Sequence, residues 1–327
     1  MSKIISDNLH YKSAREEKFE IFSKEILDPF WEKVEKLSFN NSRGNRLAFA
    51  RIRHKSNNKA IFLVTGRVES YLRYKELIYD IFHEGYDVYC LDHIGQGLSD
   101  RIHEDSERGH VEQFGHYVDD LIEFYQNIIF PNGYNYVYAI AHSMGGGILA
   151  HSILKMPNMF KRAAFCAPMF GINIPLPDGV ANTILNVAER YPVIRDYYAL
   201  GTGRWRALPF ALNRLTHSKV RYEANLSLLN QIPSLKMGGP TYHWVKESKA
   251  ATLALQAQAD KWQMPSLVLQ AEHELLVCNE SQQAFVAKCA IKPKFILVEN
   301  ARHELLMESD DIRVFVLDHI FNFFKID

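Results

Sequence analysis

Tyr136-Val137-Tyr138-Ala139-Ile140-Ala141-His142-Ser143-Met144-Gly145-Gly146 decides the fold. Its first six residues are a short apolar run of strand length. From Met144 the pattern turns helical and holds to residue 156, where Pro157 stops it. Ser143 therefore stands at a strand-to-helix corner. Such a corner turns so sharply that its two arms nearly touch, so the positions two before and two after the serine must be small; here they are Ala141 and Gly145. The serine is held in a strained backbone conformation that lifts its hydroxyl above the sheet. The helix behind it aims unbonded N–H groups at the same spot. Ser143 is thus the candidate nucleophile, and the Met144 N–H a candidate oxyanion donor.

Working outward, further apolar runs occur at 60–64, 87–92, 163–167, 265–270 and 295–298. Each has strand length and most lack polar alternation, as expected of strands covered on both faces. Amphipathic stretches at 74–83, 118–129 and 144–156 lie between them. Alternating strand and helix predicts an α/β fold with a mostly parallel, doubly wound sheet. From 171 to 262 the strand signals vanish and helical patterns broken by Pro and Gly take over. Residues 171–262 read as an inserted helical cap, and 1–170 with 263–327 as the core. The cap holds eleven basic and six acidic residues, and the rest of the chain carries the opposite surplus. A basic cap suits an anionic substrate or a membrane surface. A solvated helical face carrying those charges is an equal reading.

A serine hydroxyl needs a general base within hydrogen-bond reach. In a sheet of this kind the acid follows the serine and the histidine comes last. His303, in Asn300-Ala301-Arg302-His303-Glu304, lies just past the final apolar run and is the candidate base. His319 falls in a helical pattern, and His142 beside the serine points elsewhere; both read as structural. The acid belongs in Ala271-Glu272-His273-Glu274-Leu275-Leu276-Val277. The pattern G-x-x-D-x-x-V aligns Glu274 with it, with Glu272 as rival. The second oxyanion donor belongs after 60–64, where Thr65-Gly66-Arg67-Val68 offers the Arg67 N–H. The Arg67 guanidinium either meets a phosphate or carboxylate or is pinned by Glu69. Residues 92–99 miss the GxGxxG spacing of a dinucleotide loop and read as a brace for the site.

Composition sets the remaining bounds. The 327 residues are 47% hydrophobic and 12% aromatic, ample for a large core. Lys plus Arg and Asp plus Glu both number 38, a balance that argues against nucleic acid as a partner. Cys90, Cys166, Cys278 and Cys289 form no CxxC pair, so neither a metal site nor a disulfide framework is expected, and a reducing compartment fits. Residues 1–20 lack the apolar centre of a signal peptide, and no run approaches the length of a membrane span. A soluble or surface-bound protein needing no cofactor is expected.

The segments Thr65-Gly66-Arg67-Val68-Glu69-Ser70-Tyr71, Leu91-Asp92-His93-Ile94-Gly95-Gln96-Gly97, Arg108-Gly109-His110-Val111 and Ala141-His142-Ser143-Met144-Gly145-Gly146 resemble the monoacylglycerol-lipase-like branch of the α/β hydrolases. Gly201-Thr202-Gly203-Arg204-Trp205-Arg206 and Gly238-Gly239-Pro240-Thr241-Tyr242-His243-Trp244 narrow the resemblance to its bacterial lysophospholipases. It implies the α/β-hydrolase fold and cleavage of the single acyl ester of a lysophospholipid or a monoacylglycerol. It also implies a cytoplasmic enzyme working at the inner face of a bacterial membrane. A general carboxylesterase or thioesterase, or a non-catalytic lipid-binding relative, are the alternatives. Thr65, Ala141 and Glu274 depart from the His, Gly and Asp usual in the branch.

Overall fold

The computed structural model describes residues 10–12 and 14–325. Eight strands form one sheet: β1 Glu35–Asn40, β2 Arg46–Ile52, β3 Lys59–Val64, β4 Asp87–Leu91, β5 Tyr136–His142, β6 Arg162–Cys166, β7 Ser266–His273 and β8 Lys294–Arg302. Their order across the sheet is β1-β2-β4-β3-β5-β6-β7-β8. Strands β3 to β8 run parallel, and β1 and β2 form an antiparallel margin. The main helices are α1 Lys75–His83, α2 Phe114–Phe124, α3 Met144–Lys155, α4 Asp178–Ala188, α5 Lys219–Gln231, α6 Tyr242–Gln256, α7 Asn279–Lys288 and α8 Asp310–Phe324. This is the α/β-hydrolase architecture that the sequence implied.

The six expected strands are all present; β3 to β7 are largely buried on both faces, while the edge strand β8 keeps only Val298 and Ala301 buried. In β3, Ile61 and Leu63 join a core with Leu77, Ile81, Leu317 and Phe321 of α1 and α8. Phe62 and Val64 point the other way, to Leu121, Phe124, Ile148 and Leu149 of α2 and α3. Alternate side chains thus feed two separate apolar layers, which is why the run shows no polar alternation.

Strands β1 and β2 are an addition to the expectation. β1 is exposed along nearly its whole length. Arg51 of β2 grips Glu35 of β1 across the pair at 2.7 and 3.0 Å. A charged, short edge strand guards a sheet against pairing with other chains, and that same polarity hides β1 from a search for apolar runs; β2, paired on both sides, is buried from Leu47 to Ala50. The helix expected at 118–129 begins earlier, at Phe114, and its tail Tyr125–Ile129 is a π-helical turn.

Between β6 and β7 the described chain carries α4, α5 and α6 and no strand. One end of this stretch is anchored by charge. Arg221 of α5 reaches Glu76 of α1 and Asp310 of α8, each at 2.7 Å. Arg15 and Arg313 pair with Asp80 at 2.8 and 2.6 Å, and both also approach Glu76. All three guanidiniums are buried. Burial pushes the Glu76 carboxyl up, but these cations outweigh it and hold it well below the usual carboxylate range.

Candidate active site

The elbow has the geometry its small residues demand. β5 ends at His142, α3 begins at Met144, and Ser143 between them has φ 51° and ψ −122°. An L-residue at positive φ is strained, so its surroundings must hold it. The Ser143 N–H donates to the Cys166 carbonyl at 3.1 Å, and the Ser143 carbonyl accepts from Met169 N–H at 2.9 Å. A Cβ at Gly145 would run into the carbonyl oxygens of Val64 and Thr65. Ala141, fully buried, shows that a methyl fits on the strand side.

Ser143 and His303 come together from opposite ends of the chain. His303 Nε2 lies 2.9 Å from Ser143 Oγ, and His303 Nδ1 lies 2.7 Å from Glu274 Oε2. The other oxygen of Glu274 accepts from the backbone N–H groups of Leu275, Leu276 and Val277 at 2.8, 2.7 and 3.2 Å. Burial pushes this carboxyl up, but His303 and the backbone donors prevail and its pKa lies below the ordinary value. An ionised Glu274 fixes the proton of His303 on Nδ1, leaving Nε2 free to accept from the serine. Glu272 is exposed and turned away; its carboxylate accepts from the Asn300 N–H at 2.6 Å. Of the two rivals, only Glu274 touches the histidine.

The expected donor loop follows β3. Gly66 N–H is committed to Glu69 Oε2, and Val68 N–H to Gln96 Oε1 at 3.3 Å. The Arg67 N–H between them has no acceptor among the described residues, and neither does that of Met144 at the start of α3. These two amides are the open donors beside Ser143. The 92–99 stretch braces the loop as expected. Gln96 Nε2 donates to the carbonyls of Gly66 and Glu69 at 2.7 and 3.1 Å, and His93 Nε2 meets the Thr65 carbonyl at 3.0 Å.

Beneath the relay lies a polar network that the sequence reading did not assemble. His142 turns away from the serine, as expected, but not idly. Its Nδ1 lies 2.9 Å from Glu69 Oε1, and its Nε2 lies 3.0 Å from the carbonyl oxygen of His303. Both neighbours can only accept, so both ring nitrogens carry protons and His142 is an imidazolium. Burial works against that charge, but Glu69 overcomes it and raises the His142 pKa. Glu69 also accepts from Tyr74 Oη at 2.6 Å and from Arg73, which in turn pairs with Glu304. Burial opposes the Glu69 anion too, yet these partners hold its carboxyl at about 2. Glu69 is therefore engaged by His142 and Arg73, and does not pin Arg67. The sequence carries no spacing signal for this network, because its members meet only once three strand-end loops converge.

Ser143, His303, Arg67, Met144, Glu69 and His142 border a cavity of about 700 Å³. Its walls are mostly apolar and come largely from the stretch between β6 and β7, with Ala181, Ile184, Leu185, Leu229, Trp244 and Val245 among them.

Residues 55–310 match the family described as serine aminopeptidase, S33. The chain belongs to this family. Within reach of it stands lysophospholipase L2 of Escherichia coli K12, 42% identical over 318 residues, covering 95% of this chain and 94% of that protein. A probable lysophospholipase L2 of Haemophilus influenzae is 30% identical over 321 residues, covering 95% and 99%. Among solved structures, a soluble variant of monoglyceride lipase from Saccharomyces cerevisiae aligns with a TM-score of 0.69 at 16% identity, covering 89% of this chain and 95% of that one. At that identity the likeness is one of fold. The family resemblance read from the motifs is borne out, and the chain is a hydrolase similar to the lysophospholipases. No helix among the described residues is long and apolar enough to cross a membrane.

Proposed function

We propose that this protein is a lysophospholipase that releases the fatty acid through an acyl-enzyme on Ser143. The observation that carries the reading is the unbroken contact Glu274–His303–Ser143 opening into a largely apolar cavity. His303 takes the hydroxyl proton as Ser143 Oγ attacks the ester carbonyl. The Arg67 and Met144 N–H groups receive the developing oxyanion, each worth about 3–4 kcal/mol in such sites. His303 then protonates the leaving glycerol oxygen, and water, activated by the same imidazole, frees the acid.

Residues 171–262 act as the cap, whose apolar inner wall receives a single acyl chain. The enzyme works from the cytoplasm on the inner face of a bacterial membrane. Leu200 and Leu208 border the cavity yet are 65% and 49% exposed, which supports contact of this rim with lipid. The cap's positive surplus favours an anionic surface, and the balanced charge of the whole chain speaks against nucleic acid.

Parallel assays of a long-chain lysophospholipid and p-nitrophenyl acetate test the proposal. A kcat/KM for the lysophospholipid well above that for the acetate is expected. A preference for the short ester, or no lysophospholipid cleavage, overturns it.

A further inference from the structure

Around the cavity most charges already have partners: Glu69 has His142 and Arg73, and Arg73 has Glu304. Arg67 is different. Its Nη1 donates to the Gly238 carbonyl at 3.0 Å, and its guanidinium carbon sits 5.5 Å from the centre of the Trp244 ring. These contacts orient the head without neutralising it, and among the described residues no carboxylate pairs with it. Nε and Nη2 have no acceptor among the described residues and are not among the fully buried unpaired atoms, and Arg67 lines the cavity together with Ser143. A partly desolvated cation with open donors is costly unless an anion meets it.

We propose that Arg67 is the headgroup-reading residue of this site, its guanidinium receiving the phosphodiester of the substrate. This rests on the lysophospholipase reading above. The geometry is internally matched. In a 1-acyl lysophospholipid the phosphorus lies as many bonds from the ester carbonyl carbon as the Arg67 guanidinium carbon lies from its own amide nitrogen. With the Arg67 N–H at the carbonyl oxygen, its side chain has the reach to meet the phosphate. A planar fork of donors suits two phosphate oxygens, which a lysine matches less well. A monoacylglycerol, which has a hydroxyl where the phosphate would be, forfeits this contact.

The test compares two substrates within each variant. Wild type, Arg67→Met and Arg67→Lys are assayed on a 1-acyl lysophospholipid and on the monoacylglycerol of the same chain. Any disturbance of the Arg67 amide affects both substrates alike and cancels in the ratio of their kcat/KM values. Arg67→Met is expected to lower the lysophospholipid-to-monoacylglycerol ratio by about tenfold to a hundredfold, and Arg67→Lys by less. Equal losses on both substrates overturn the inference while leaving the lysophospholipase reading intact. A wild type that ignores lysophospholipid overturns both. If Arg67→Met does not fold, competition decides: glycerophosphoethanolamine must inhibit wild-type monoacylglycerol hydrolysis far better than glycerol does, and parity between them overturns the inference.

Discussion

His142 holds the backbone of His303: its Nε2–H donates to the His303 carbonyl oxygen at 3.0 Å, one residue before the serine that His303 serves. The strand that carries Ser143, the proposed nucleophile, thereby also fixes the loop that carries His303, the proposed base. A slip of about 1 Å in such a relay can cost roughly a hundredfold in rate. His142→Ala is expected to lower kcat by about tenfold to a hundredfold with KM little changed. Steady-state kinetics on a soluble ester check this, and an unaltered kcat would show that the loop holds its shape without the ring.

The two loop carboxylates should separate cleanly. Glu274→Gln removes the acceptor that orients His303 Nδ1–H, and the corresponding loss in a serine–histidine–acid relay is about 10⁴ in kcat. Glu272→Gln touches only the Asn300 amide and is expected to leave turnover near the wild-type rate. Labelling of Ser143 by a fluorophosphonate, followed over time, ranks both variants.

Glu69 makes acid sensitivity predictable. Its carboxyl is held at about 2 in the folded protein against an ordinary value of 4.5. A depressed carboxyl stabilises the fold fully above its unfolded pKa and loses that contribution as pH falls through the interval down to the folded one. The stability gap between wild type and Glu69→Gln should therefore be widest between about pH 5 and 6, narrow as pH drops below 4.5, and narrow again as pH rises through the raised pKa of His142, whose charged form Glu69 stabilises. Losing one member of a buried charge network costs about 3–5 kcal/mol. Urea titrations at a series of pH values measure the gap; a gap that widens as pH drops below 4.5 would contradict the assignment.

Ser143 trades stability for reactivity. At φ 51° a glycine is at ease where serine and alanine are not. Ser143→Gly and Ser143→Ala should both abolish esterase activity, yet the glycine variant should melt higher, by an amount corresponding to roughly 1 kcal/mol. Gly145→Ala is expected to go the other way and destabilise by about 1–3 kcal/mol, since its methyl meets backbone carbonyls that cannot step aside. Calorimetry on the three variants gives the order.

Much of this was readable from the chain, and the reason differs by element. β3 to β7 announce themselves because burial on both faces leaves little room for polar residues, and the edge strand β8 by its apolar run 295–298. Ser143, Glu274 and His303 follow because each sits at a fixed offset from the end of such a strand. β1 escapes notice because it is solvated and looks like surface; β2, though buried, because its apolar stretch 47–50 is short and flanked by Arg46 and Arg51. The pairing of His142 with Glu69 escapes too. Each is an ordinary polar residue in its own loop, and only the parallel sheet, which delivers both loops to one edge, makes them partners. Gln96 is found only once the 92–99 turn is seen to lie against residues 66–69.

The cluster on Glu76 and Asp80 draws together stretches that are remote in the chain: Arg15 near the start, Arg221 in the inserted stretch, Arg313 near the end. The roof over the cavity is consequently no interchangeable module. Transplanting residues 171–262 from a relative lacking a cation at position 221 would leave Glu76 with only Arg15 and Arg313, at 3.2 and 3.4 Å, and trimming the last helix before residue 313 would leave Asp80 with Arg15 alone. Chimeras built to exchange substrate preference must carry that arginine with them, or replace Glu76 in the same stroke.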